Sequence, residues 1–350
     1  MLYIHQSSCI SPQESFGQQN PDVLHGPVEN KLLAIEPKYE NIPPGMLRRM
    51  GKAVRMGVGS ALPLIKEVDG HINGIIIGTA NGGMEDCIKF LNQIVQYEED
   101  QLTPGNFVQS TPNAIAAQLG LLSQNKGYNI THVHRGLSFE NALLDALMLL
   151  AENPDHQYLL GAADEISTYN YNIDQLAGWY KREDMQGKNL YEQHTPGSIA
   201  GEGATMFIVN ARKENALAAV RGIGSLHTSD ANAVQQRLRE FLENQLLPDE
   251  KIDLYLSGEN GDSRDKAFYD ACESCISDET TVARFKHMFG EFGTASALAC
   301  WLAINILKTQ TIPEHMIKKP SSTRKYKRIL IYNNHKHIQH SFLLLEFPQQ

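Results

Sequence analysis

The chain has 350 residues, 42% hydrophobic and 20% charged, a composition that fits one large globular domain or two fused halves. Its 31 Lys and Arg against 40 Asp and Glu leave a net charge of −9, which excludes the basic profile of a nucleic-acid binder. The longest apolar run, "ALACWLAI" at 297–304, is too short to span a bilayer, and the opening "MLYIHQSSCI" lacks the features of a signal peptide, so a cytoplasmic location is expected.

Short apolar runs at 73–80, 158–165, 204–210, 251–258, 328–334 and 341–347 predict strands, several buried on both faces. Helical patterns fall at 84–99, 112–125, 137–152, 231–245, 264–276 and 293–307. Their alternation predicts an α/β fold with mixed sheets covered by helices. The last two strands lie close enough in sequence to pair antiparallel. A strand, a glycine-containing turn and a small-residue-rich helix occur at 130–150 and again at 285–305. This predicts two similar halves, 1–212 and 213–350, divided near "NARKENALAAV". Residues 170–197, rich in Tyr, Asn and charge, read as a surface insertion. "KKPSSTRKYKR" (318–328) concentrates six basic residues in an acidic chain.

Few local motifs carry chemistry by themselves. Five cysteines at irregular spacing do not form a disulfide framework, and the lone CxxC of Cys272 and Cys275 has no second ligand pair for zinc. No metal site is expected. Gly136-Leu137-Ser138-Phe139-Glu140 has part of the GxSxG pattern but lacks its second glycine, so Ser138 reads as a residue that satisfies a backbone N–H at a helix start. His132 and His134 alternate with Val133 on one strand face, without a third ligand. "AGEGATMFIVN" (200–210) precedes a strand and opens no helix, so it is no phosphate loop. "SGENGDSRD" (257–265) lies between a strand and a helix, a suitable place for chemistry, but its three acidic residues argue against phosphate.

Taken in order, the segments resemble the ketosynthase branch of the thiolase-like superfamily. "YIHQSSCISPQESF" is similar to its first strand and turn, and "STPNAIAAQLGLLSQNKGYNIT" to the helix and strand ahead of the nucleophile. "ALLDAL" is similar to the nucleophile helix, "LLGAADEIS" to the "AGGAE" strand and "GEGATMFIV" to the "GDGAGMLVL" strand. The resemblance implies a layered αβαβα fold built from two similar halves with mixed sheets. It also implies a site in which a cysteine at a helix N-terminus takes an acyl chain from a carrier protein, and two histidines act on the malonyl thioester.

Carried onto this chain, the nucleophile position falls on Gly136 and the histidine positions on Ser257 and Glu291, while the lysine of "KSxxGH" is kept as Lys286. The glycine-rich "GFGG" gate corresponds to Lys336-His337-Ile338-Gln339. The resemblance thus implies a subunit of the chain-length-factor type, similar to short ketosynthase-like proteins of aryl-polyene and flexirubin clusters. Such a subunit pairs with an active ketosynthase, or with itself, and shapes the acyl tunnel. No catalytic residue and no resident cofactor are expected, the possible ligand being the acyl-phosphopantetheine of a carrier protein. The turn at Thr111 and Pro112 is expected to reach the partner's tunnel, with Pro112 in the first turn of the following helix. Lys318, Lys319, Arg324 and Lys325 are expected to dock the acidic carrier. Two rival readings stand beside this one. The first is an acyltransferase or hydrolase that uses Ser138, with His134 as base and Glu291 accessory. The second is a scaffold that only docks carrier protein.

Overall fold

The structure is a computed structural model describing residues 1–17, 23–40, 42–185, 187–323 and 325–348. The chain-order strands are β1 (Leu2–Ile10), β2 (Lys31–Leu32), β3 (Gly74–Gly78), β4 (Tyr128–His132), β5 (Gln157–Asp164), β6 (Ala200–Gly201) and β7 (Gly203–Asn210). They continue as β8 (Ala218–His227), β9 (Leu254–Ser257), β10 (Thr281–Arg284), β11 (Ile317–Lys319), β12 (Arg328–His335) and β13 (Gln339–Glu346). All but β2 and β6 form a sheet in the order β11-β10-β9-β12-β13-β8-β1-β7-β5-β3-β4.

That order contains a repeat. Outward from the β1–β8 pair, the first half runs β1-β7-β5-β3-β4 and the second β8-β13-β12-β9-β10. In both, the three outer strands are mutually parallel and the next two alternate in direction. The equivalent strands are β1 with β8, β3 with β9, β4 with β10, β5 with β12 and β7 with β13. The two halves meet between Asn210 and Ala218.

Alternation along the strands builds five layers. Ile76 faces the central core together with Leu160, Leu256 and Ile331. Ile75 and Ile77 face the opposite way, onto helices Lys52–Glu67 and Ala114–Ser123. Tyr255, Leu330 and Phe342 do the same in the second half, against helices Ala231–Gln245 and Lys266–Glu273. Between the halves lie two long apolar helices, Ser138–Glu152 and Ala295–Thr309. The second is buried over nearly its whole length because sheet covers it on both sides. Each large apolar side chain buried there contributes roughly 1.5–3 kcal/mol.

Three elements differ from the sequence expectation. Helix Lys52–Glu67, which falls in no predicted element, contains Gly57, Gly59 and Pro63, and the glycines let Ile115 and Tyr39 pack against its backbone. Helix Ala114–Ser123 begins two residues after Pro112, so this proline lies in the preceding turn rather than in the first helical turn. Residues 170–197 are largely at the surface, as expected, but they are anchored in the fold. Lys181 is wholly buried and donates to the carbonyls of Thr195 and Gly261 at 2.8 and 2.9 Å, which ties the segment to the loop after β9.

Candidate functional site

A cavity of about 400 Å³ opens where β5 and β12, equivalent strands of the two halves, end at Asp164 and His335. Asp164 organises its floor. Its carboxylate accepts from Thr79 Oγ1, from the Ala80 and Asn81 N–H groups and from Thr294 Oγ1 just before helix Ala295–Thr309. A close crossing holds Glu291 in place. The Glu291 N–H donates to Ile199 O at 2.7 Å, and the Gly201 N–H donates to Glu291 O at 3.2 Å. Gly201 must be glycine, because a Cβ would stand 1.9 Å from Phe289 O.

Gly136 lies in the 3₁₀ turn Arg135–Leu137 at the head of helix Ser138–Glu152. A Cβ built on it would sit 2.3 Å from His335 Cβ and 2.5 Å from Cγ. The space that a nucleophilic side chain needs is therefore filled by an imidazole from β12. The Gly136 N–H is also engaged, donating to Gln339 Oε1 at 2.9 Å, while Gln339 Nε2 donates to the His134 carbonyl at 3.2 Å.

His335 Nδ1 lies 3.0 Å from Glu291 Oε1, and Lys286 Nζ donates to Glu291 Oε2 at 2.9 Å. Burial would raise the Glu291 carboxyl, but the Lys286 ammonium and His335 reverse the sign and hold it down at about 2. It is a carboxylate satisfied by the Lys286 ammonium and by hydrogen bonds. Asn260 links it at 3.3 Å to the buried Asp265, which also accepts from Asn334 Nδ2 and pairs with His337.

The turn Lys336-His337-Ile338 closes the cavity from above. Lys336 and His337 have φ of 52° and 67°, a left-handed conformation that costs a side-chain-bearing residue roughly 1–2 kcal/mol. Lys336 Nζ donates to Asp174 Oδ1 at 2.6 Å, and Trp179 lies against both Lys336 and His337. Tyr171, Trp179 and Tyr180, all from the segment expected to be a surface insertion, line the cavity wall.

The structure thus brings together Gly136, Glu291 and Lys286, with His335 and Gln339 between them. Ser257, the last residue of β9, is buried, does not line the cavity, and accepts from the Glu259 N–H at 3.2 Å. Asn260, three residues on, reaches the site instead. Ser138 Oγ is occupied locally, accepting from the His134 N–H at 2.8 Å and donating to Arg135 O at 2.9 Å. The Ser138–His134 catalytic pair is therefore not formed, and the bond between them involves the His134 backbone. His132 pairs with Asp145 at 2.9 Å rather than with His134. The basic run forms the expected open patch only in part, because its first two lysines are paired. Lys318 binds Glu259 and Glu273 at 2.8 and 2.5 Å, and Lys319 binds Asp278 at 2.6 Å. Lys325 makes no ion pair among the described residues, and Arg324 lies outside them. His335 and Trp179 escaped the sequence reading because no local motif marks them, and Gln339 was reached only as part of the gate segment. The loss of glycine at 336–339 was the one available signal.

Residues 24–177 match the family described as the N-terminal domain of beta-ketoacyl synthase. No curated protein matches the sequence. Among solved structures, the chain is similar to a beta-ketoacyl synthase from Burkholderia phymatum STM815, at 16% identity and a TM-score of 0.78, with 99% of each chain covered. It is similar to the ishigamide ketosynthase/chain length factor at 15% identity and 0.76, covering 99% of this chain and 98% of the other. It also resembles a ketosynthase, ApeO, in complex with its chain length factor, ApeC, from Xenorhabdus doucetiae, at 13% and 0.75, covering 99% and 97%. Residues 24–177 thus match the N-terminal domain family of beta-ketoacyl synthases in sequence, and the chain has the thiolase-like fold of ketosynthases throughout its length.

Proposed function

We propose that this chain is a non-condensing subunit of the chain-length-factor type, paired with an active ketosynthase in carrier-protein-dependent fatty acid or polyene synthesis. The observation that carries this reading is His335, which fills the place of a nucleophile at Gly136 while Gln339 takes the Gly136 N–H. Acyl transfer at that point would need both a nucleophile and a free N–H to receive the developing oxyanion. Glu291 adds a negative charge where an enolate would have to form.

A second observation supports pairing. β4 is an edge strand, with Ile130 exposed on it and Val133 exposed just after it. On the two helices packed against it, Leu121, Leu144 and Met148 are exposed as well, Leu121 to 75%. An unpaired edge beside exposed apolar side chains invites a partner. The reading assigns that place to the ketosynthase subunit, with the exposed turn at Thr111 and Pro112 directed at its acyl tunnel. Product length would then follow tunnel depth. The possible ligand is the acyl-phosphopantetheine of the carrier, and no resident cofactor takes part. Resemblance to the short proteins of aryl-polyene and flexirubin clusters makes polyenes the first substrates to test. The rival hydrolase reading lacks a base for Ser138, and the docking-scaffold reading predicts no control of product length.

The test has two arms. The purified chain, given acyl- and malonyl-carrier proteins, is expected to form no condensation product, and any product dependent on it would overturn the non-condensing role. Co-expressed with its native ketosynthase, it is expected to co-purify and to set product length.

A further inference from the structure

The C-terminal end of helix Ala295–Thr309 borders a second groove, of about 450 Å³, at the start of β12 and the end of β13. The candidate site lies near the other end of the same helix, and 15 residues at 1.5 Å each put the two about 22 Å apart. Leu307, Tyr326 and Phe347 contribute apolar surface to this groove, and Lys308, Lys325 and Lys327 stand exposed around it.

The charges in this region sort into two groups. Arg328 is compensated by Glu250 and Glu346, and Lys318 and Lys319 by the carboxylates named above. Lys308, Lys325 and Lys327 make no ion pair among the described residues. Glu346, the carboxylate that also lines the groove, is held by Arg221 and Arg328. Three cations that pair with no carboxylate among the described residues, set around an apolar groove in a chain of net charge −9, make a local field of the opposite sign. The volume is that of a small-molecule site. The backbone beneath is firm. Gln310 donates to Leu307 O and Tyr326 O at 2.7 and 2.9 Å and accepts from the Tyr326 N–H at 2.8 Å, which ties the helix end to the segment before β12.

We propose that this groove binds a single-chain amphipathic anion, a hydrocarbon carboxylate whose tail lies along Leu307, Tyr326 and Phe347 and whose head meets the three lysines. The site is separate from the candidate functional site and does not depend on the chain-length role. Tail and head contribute by different physics. Burial of the tail is insensitive to salt, whereas exposed lysine–carboxylate attraction is screened within about 8 Å at physiological ionic strength.

Calorimetric titration of the full chain with dodecanoate, below its micellar concentration, is expected to show one saturable site. Dodecanol, without the charge, and acetate, without the tail, are each expected to bind at least tenfold more weakly. The triple substitution Lys308→Gln, Lys325→Gln, Lys327→Gln is expected to weaken dodecanoate about tenfold and to flatten its salt dependence. Phe347→Ala, at an exposed position that the fold tolerates, is expected to weaken it at every salt concentration. Absence of saturable binding would overturn the proposal. So would binding that survives both variants unchanged, since the anion would then be occupying the apolar face beside β4.

Discussion

At the residue scale, the loss of a nucleophile at 136 is more than a missing side chain. In Gly136→Cys the new Cβ has to displace His335, which Glu291 holds at 3.0 Å. Such overpacking costs about 1–3 kcal/mol. The variant is expected to unfold at lower denaturant concentration and to remain unacylated by an acyl-carrier protein, read by intact-protein mass spectrometry. Pairing it with His335→Gly is expected to restore the lost stability, because the clash partner is gone. Acylation of the single variant would show that the cavity opens more readily than the geometry implies. Glu291 gives a second test. Glu291→Gln leaves the buried Lys286 ammonium without its counter-charge, and breaking a buried pair costs about 3–5 kcal/mol. Glu291→Gln with Lys286→Met is expected to recover much of that loss in urea unfolding.

At the scale of elements, the β12–β13 turn and the β4 edge carry opposite expectations. The turn is strained at Lys336 and His337 but held by Asp174, Asp265 and Trp179. Replacing both residues with glycine removes the backbone strain and the anchors together. Amide exchange at 335–339 is expected to accelerate at least tenfold, measured by hydrogen–deuterium exchange, with the fold unchanged. The β4 edge, by comparison, is exposed. Ile130→Lys places a charge on an exposed strand, so the isolated chain is expected to fold normally and the ketosynthase complex to dissociate on size-exclusion chromatography. Thr111→Phe tests the turn beside this face. The proposed role predicts shorter products at unchanged complex yield, and unchanged lengths from an intact complex would remove that role from the turn.

The whole molecule has an acid-sensitive stability. Burial lowers His287 to about 3, helped by His315 and Arg284, and burial lowers His340 to about 4. Both are neutral in the fold. The unfolded chain takes up protons below its ordinary histidine value of 6.5, whereas the native chain does not until the depressed values are reached. Their contribution is complete above 6.5 and is lost progressively as pH falls from there toward 3–4, on the order of a few kcal/mol in all. Glu165 works in the opposite sense. Burial raises it to about 7, so its contribution is present below 4.5 and is lost as pH rises through 7. The informative quantity is therefore a difference between variants. His287→Gln is expected to lose less stability than wild type between pH 7 and pH 4 in urea titrations, and equal losses would remove His287 as a cause.

Local patterning sufficed for the α/β class, for the strands near 73–80, 158–165, 204–210, 328–334 and 341–347, and for the two central helices. Alternation and apolar periodicity follow from burial that sheet and helix impose on every chain. The ordered segments also sufficed for the resemblance that placed Gly136 and Glu291 in one site. Helix Lys52–Glu67 was not legible, because its glycines and proline signal a break until Ile115 and Tyr39 are seen packed against them. Nor was the wall formed by residues 170–197, whose polar character conceals a buried lysine satisfied by distant carbonyls. Tertiary structure alone decided that His335, 199 residues from Gly136, fills its missing side chain, that Gln339 takes its N–H, and that Lys318 and Lys319 are neutralised by carboxylates. Those contacts join residues far apart in the chain. Each depends on strand order and register, which no local pattern encodes.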